Sequence, residues 1–93
     1  MEKNIDKKKE FFKELEFIED ILSDEFNADG STFLKKIDSV EQYLRVIGVN
    51  IKDLKSLAKL DKNSDISDID EKLKNVKFIS NIIFDESRDL VYK

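Results

Sequence analysis

The chain contains no cysteine, no histidine, no proline and no tryptophan, and only two of its 93 residues are glycine. Each absence removes a class of chemistry or architecture. Without cysteine there is no disulfide framework, no zinc–thiolate centre and no thiol nucleophile. Without histidine the commonest general base and the commonest transition-metal ligand are both missing. Sandwiches and barrels need a chain breaker about every ten residues. Here breakers are nearly absent, which favours long uninterrupted helices. Alanine is scarce too, at Ala28 and Ala58 alone, so helix propensity comes from Lys, Glu and Leu. Apolar runs are short: stretches such as IIF at 82–84 cannot span a bilayer. The opening MEKNIDKKKEFF is charged and lacks the apolar core of a secretory signal. A soluble cytoplasmic protein is the expectation.

Hydrophobic residues make up 40% of the chain, enough for one core, and charged residues 41%, so most other positions are ionic. The length suits a single helical domain over residues 1–93, of the size that is only modestly stable. There are 17 Lys and Arg against 21 Asp and Glu, a net charge of −4, and the only arginines are Arg45 and Arg88. Non-specific nucleic-acid binding needs a basic excess to displace counterions, so general DNA or RNA binding is disfavoured. The acidic excess is too small to make a DNA mimic. The two signs interleave as on an ordinary solvated surface.

Apolar spacing predicts four helices. Phe11, Leu15, Ile18 and Leu22 recur at helical spacing, with Ile5, Phe12, Phe17 and Ile21 extending or widening the face. They predict a helix over about 5–24 with Asn4 as its cap. Phe33, Ile37, Val40, Leu44 and Ile47 predict a second over about 32–47, capped by Ser31 or Thr32 and stopped by Gly48. Asn50 followed by Asp53 resembles a capping box, and Val49 with Leu54 a hydrophobic staple, which starts a short third helix over about 51–60. The fourth begins at Ser67 or Asp68 and carries Ile69, Leu73, Val76 and Ile83 on one face. Its end is open to two readings. Residues 78–93 either continue the helix or form a short hairpin, KFISNIIF returning as LVYK across DESRD.

Two loops have the look of ion sites. In DKNSDISDIDEK, residues 61–72, Asp61, Asn63 and Asp65 alternate like the first oxygen ligands of a calcium loop. Counted from Glu25, Asn27, Asp29 and Gly30 fall at the third, fifth and sixth positions of a similar stretch. The two starts are separated by about the repeat of paired EF-hands. Over residues 10–84 the chain thus resembles a degenerate EF-hand pair, which implies an ion-responsive helix-loop-helix module. It departs from that pattern at Ile66, where the family has Gly, and at Lys36 and Lys72, where it has a bidentate Glu. A lysine there removes two oxygen ligands and adds a positive charge. Turns and helix caps use the same Asp, Asn and Ser residues. No metal and no cofactor are expected.

The segment NIKDLKSLAKLDKNSDISDIDEKLKNV, followed by a hairpin as a wing, resembles winged-helix nucleic-acid-binding regulators. The helix that would enter the major groove begins SDISDIDEK, rich in acids and without Arg, and acids there repel phosphate. Catalysis has little to stand on. Glu10 with Glu14 and Glu16 with Asp20 are carboxylate pairs one helical turn apart, but they fall off the apolar stripe, and Lys13 is spaced to pair with Glu10 and Glu16. There is no phosphate loop and no nucleophile elbow.

What remains is an excess of large apolar residues. Phe occurs seven times. Phe12 and Phe17 flank the stripe of the first helix, and Phe26 lies in a loop. Together with Tyr43 they are the candidate partner-binding residues, with Arg45 and Tyr92 as weaker candidates of the same kind. The expected fold is an all-α, small four-helix bundle, the last helix extended or followed by a short C-terminal hairpin. Its expected core is Phe11, Leu15, Ile18, Leu22, Phe33, Ile37, Val40, Leu44, Leu54, Leu57, Leu73, Val76 and Ile83. The expected function is a non-enzymatic protein-interaction module: a small regulator, inhibitor or phage-type accessory protein with a protein partner or a second copy of itself.

Overall fold

A computed structural model describes the backbone of residues 2–60 and 66–92, and the side chains of 6–60 and 66–88. The described residues form five helices: α1 (Glu2–Asp24), α2 (Phe33–Ser39), α3 (Glu41–Val46), α4 (Ile51–Ala58) and α5 (Ile69–Tyr92). They make a small all-α bundle, and no strand occurs among them. α1 begins ahead of Asn4, which lies inside the helix and does not cap it. α5 continues as helix through Tyr92, so the hairpin alternative does not form.

The predicted second helix is two helices meeting at Val40, whose φ of −119° and ψ of 18° leave the helical region. Ser39 sits at the break. Its Oγ donates back to the Lys36 carbonyl at 2.8 Å and accepts the Asp29 N–H at 2.9 Å. A serine that bonds back to its own helix bends it, and here the same hydroxyl also ties down the preceding loop. The apolar spacing carries across the bend, so Ile37 and Leu44 both stay fully buried.

The caps follow the sequence closely in the middle of the chain. Thr32 Oγ1 accepts from Lys35 N at 3.2 Å and opens α2, and Asn50 Oδ1 accepts from Asp53 N at 3.1 Å and opens α4. Val49 and Leu54, either side of that cap, are both buried, as a staple requires. Gly48, at φ +100°, ends α3 in a Schellman turn. Its N–H donates to the Arg45 carbonyl at 3.1 Å, and the Val49 N–H to that of Leu44 at 2.9 Å. At the start of α5 the backbone differs from expectation. Asp68 holds a left-handed φ of +53°, where an ordinary N-cap is extended.

α1 and α5 form the most extensive pairing in the fold. Lys7 pairs with Asp70, Glu10 with Lys77 at 3.1 Å, and Phe17 with Phe84. Residue numbers rise together along both helices, so α1 and α5 run parallel. The shorter α2, α3 and α4 carry the chain back between them. At 1.5 Å per residue α5 reaches about 36 Å, most of the molecule's 44 Å long axis. On α5, Leu73, Ser80 and Ser87 alternate with Ile69, Val76 and Ile83 in a heptad-like order. Ser80 and Ser87 are buried, and the Ser87 hydroxyl donates to the Phe84 carbonyl at 2.8 Å.

Of the expected core, Phe33, Val40 and Leu73 are half-buried at its margin and the other ten residues are buried. Five further hydrophobic residues join that core, each read from the sequence as a flank, a staple or a stripe residue and not as its centre: Phe12, Ile21, Val49, Ile51 and Ile79. They belong to helix flanks and to the turn before α4, positions that a single stripe misses when a helix has neighbours on two sides. Among the described residues no helix is long and apolar enough to cross a membrane.

Candidate functional site

The four candidate partner residues have three different fates. Phe12 is in the core at 9% exposure, edge to face with Phe11 at 5.1 Å, and only the margin of its ring reaches a shallow cleft beside Leu15, Phe33, Ala58 and Leu60. Its ring packs on a second buried flank of α1, the one that faces α2.

Phe17 is 41% exposed and lies on the opposite flank, against α5. Its ring centroid is 5.7 Å from that of Phe84, itself 40% exposed, and the Arg88 guanidinium stands 5.8 Å from the Phe84 ring. Two rings and a cation therefore bridge the outer edge of the α1–α5 seam. Edge and offset ring contacts contribute beyond their area, and a guanidinium over a ring is attracted to its negative face. Phe84 and Arg88 were not singled out in advance. Parallel pairing of helices so distant in sequence is what brings them to Phe17.

Phe26 and Tyr43 come together at the end of the molecule where α1 and α5 terminate. Asn27, at φ +55°, turns the chain after α1, and Asn is one of the few non-glycine residues that tolerate this conformation. The Ala28 N–H then donates to the Leu22 carbonyl at 2.8 Å. That turn lays Phe26 against α3, where its ring meets Tyr43 edge to face at 5.1 Å. The Tyr43 hydroxyl donates to Glu86 Oε1 of α5 at 3.0 Å. Glu25, Phe26, Val40 and Tyr43 line a cleft of about 220 Å³ with almost wholly apolar walls. Arg45 points elsewhere, to Glu41 at 3.2 Å, and the Tyr92 side chain lies outside the described residues.

Charge around this end is uneven. From Glu14 to Leu34 the chain carries Glu14, Glu16, Glu19, Asp20, Asp24, Glu25 and Asp29 and no Lys or Arg. The interleaving of signs expected from overall composition therefore fails over this stretch, and a windowed count would have found it. Lys36 reaches back from α2 to Glu19 at 2.9 Å. Glu10 is bridged to Lys77 of α5, as the expected pairing with Lys13 did not anticipate. On the opposite side Lys55 joins α4 to the α2–α3 bend, 2.5 Å from Asp38 and 3.2 Å from Glu41. Hydrogen bonds that the Lys55 ammonium donates to Asp38 first, and to Glu41 next, raise its pKa above the usual 10.5.

The two ion-like loops meet different ends. In the first, Lys36 at the twelfth position is occupied by its pairing with Glu19, Thr32 caps α2, and the Asp29 N–H is bound to Ser39. In the second, Asp61, Asn63 and Asp65 lie outside the described residues. Among the described residues no three acidic side chains converge as a metal ion would require. The wing of a winged-helix domain is also missing, since residues 69–92 are α5. Compared with known protein families, with curated proteins and with solved structures, the chain matches none.

Proposed function

We propose that the chain is a non-enzymatic protein-interaction module, a small cytoplasmic regulator or inhibitor. The observation that supports this reading most is the group formed by Phe17, Phe84 and Arg88. Two phenyl rings, each about two-fifths exposed, sit side by side on the α1–α5 seam with a guanidinium over that of Phe84. Aromatic residues and arginine are the side chains that most often anchor protein interfaces. Isolated exposed residues such as Val46 and Phe78 need no such explanation.

The test is a photo-reactive residue placed at position 84 or at position 26 of the full chain, in its native setting, alongside light scattering of the purified protein. A cross-link to one defined partner, or a defined dimer, supports the module. The double change Phe17→Ser with Phe84→Ser should then abolish capture at position 84 while the helical circular dichroism is retained. A strictly monomeric chain that cross-links to nothing from either position removes the reading.

A further inference from the structure

The cleft between Phe26 and Tyr43 is too small for an ordinary ligand. Its volume of about 220 Å³ is below the range of about 300–1,000 Å³ in which small-molecule and cofactor sites fall. It suits one or two apolar side chains. Its surroundings say which kind of chain would bring them. Glu25 is on its wall, and Glu86 is bonded to Tyr43. Asp24 closes α1, and parallel packing sets the end of α5, with Asp85 and Glu86, at this same end.

Helices usually place Lys or Arg in their last turn, where the backbone dipole is negative. Neither α1 nor α5 does so. The negative end of α1 therefore adds to Asp24, Glu25 and Glu86 beside an apolar cleft. An electrostatic arrangement of this kind attracts positive charge over several ångströms and fixes orientation on docking.

We propose that this end of the molecule docks a basic, amphipathic segment of a protein partner. An apolar side chain of that segment enters the Phe26–Tyr43 cleft, and flanking Lys or Arg residues face Asp24, Glu25 and Glu86. The proposal rests on the interaction-module reading and names the class of partner. A second copy of this chain fits less well. Its own lysine-rich stretch, Lys7 to Lys13, has its aromatic residues Phe11 and Phe12 buried, so it offers no free anchor.

The experiment is a titration of the isotopically labelled full chain, followed by amide NMR, with a Lys/Leu amphipathic peptide as probe and its Glu/Leu counterpart as control. Shifts should gather on Glu25, Phe26, Val40 and Tyr43 with the Lys/Leu probe only. Phe26→Ser should weaken binding roughly tenfold or more, as loss of a central anchor does. Glu25→Lys, at an exposed rim position that leaves the fold intact, should weaken it by a few fold and reduce its salt dependence. Phe78→Ser, at an isolated exposed ring, should leave it unchanged. Absence of binding overturns the proposal. So do shifts spread evenly along the acids of α1 and unaffected by Phe26→Ser, and so does a response centred on Phe17 and Phe84. The photo-reactive positions separate the two levels. Cross-links from position 84 alone retain the module and discard this site. A cross-link from position 26 to a basic peptide of the partner supports both, and to an acidic peptide discards the site.

Discussion

Two glycines show how differently one residue type is held in place. Gly30 has φ of +136°, and a Cβ there would come within 2.6 Å of Lys35 Cβ and 3.1 Å of the Lys35 carbonyl carbon. Gly48 has φ of +100° with nothing within 4 Å of its Cβ direction. Gly30→Ala therefore combines backbone strain with a clash against the first turn of α2, and should cost about 2–3 kcal/mol, whereas Gly48→Ala should cost about 1 kcal/mol. Urea unfolding of the two variants checks the order, and equal losses would mean that the α2 contact relaxes freely. Lys55 makes a different prediction. Its pKa in the folded chain is raised above 10.5 by Asp38 and then Glu41. A raised folded pKa adds stability that is complete below the unfolded value and disappears as pH climbs through the folded one. Lys55→Met should accordingly be less stable than the parent at neutral pH, with the gap closing in strong alkali. A gap that stays constant with pH would locate the loss in packing of the lysine stem.

At the scale of elements, the middle of the molecule was the most legible. Thr32, Asn50 and Gly48 act locally, so their roles can be read from a few neighbouring residues, and Asn50→Ala should cost about 1 kcal/mol in thermal unfolding. The bend at Val40 was not legible, because Ser39 takes its decisive partner from Asp29, ten residues away. Nor was the second flank of α1. A stripe of Phe11, Leu15, Ile18 and Leu22 describes a helix with one neighbour, and α1 has α5 on one side and α2 on the other, which is why Phe12 and Ile21 are buried. The candidate site divides in the same way. Phe17, Phe26 and Tyr43 could be named from the sequence, but that Phe26 meets Tyr43, and that Phe84 meets Phe17, is set only by the tertiary pairing. Ser80 is the element-scale test of that pairing. It is 4% exposed on the face of α5 that carries Val76 and Ile83. Ser80→Leu should overfill the buried face and destabilise by about 1–3 kcal/mol. A neutral or stabilising result would show spare volume beside α5.

For the molecule as a whole, parallel α1 and α5 leave charge unevenly spread along its length, the lysine end mixed with Glu10 and Asp70 and the other end mostly acidic. Lysines 7, 8, 9 and 13 of α1 lie with Lys72, Lys74 and Lys77 of α5 toward one end, and the carboxylates of 14–29 lie toward the other. Repulsion within the acidic end is screened by salt, so stability should rise as ionic strength goes from about 10 mM to about 150 mM. Calorimetry at the two salt levels reads this directly, and a fall would mean that the exposed bridges from Lys7 and Lys77 outweigh the repulsion. The same arrangement has a kinetic side. An antiparallel helix pair can zip from the turn that joins it. α1 and α5 share no turn, and their contacts, Lys7 with Asp70 and Phe17 with Phe84, join residues separated by most of the chain. Contacts so distant in sequence form only after a large loop has closed, which slows folding relative to local pairing. The seam is therefore expected to close after α2, α3 and α4 have folded the chain back on itself. Weakening it is then expected to speed unfolding more than it slows folding.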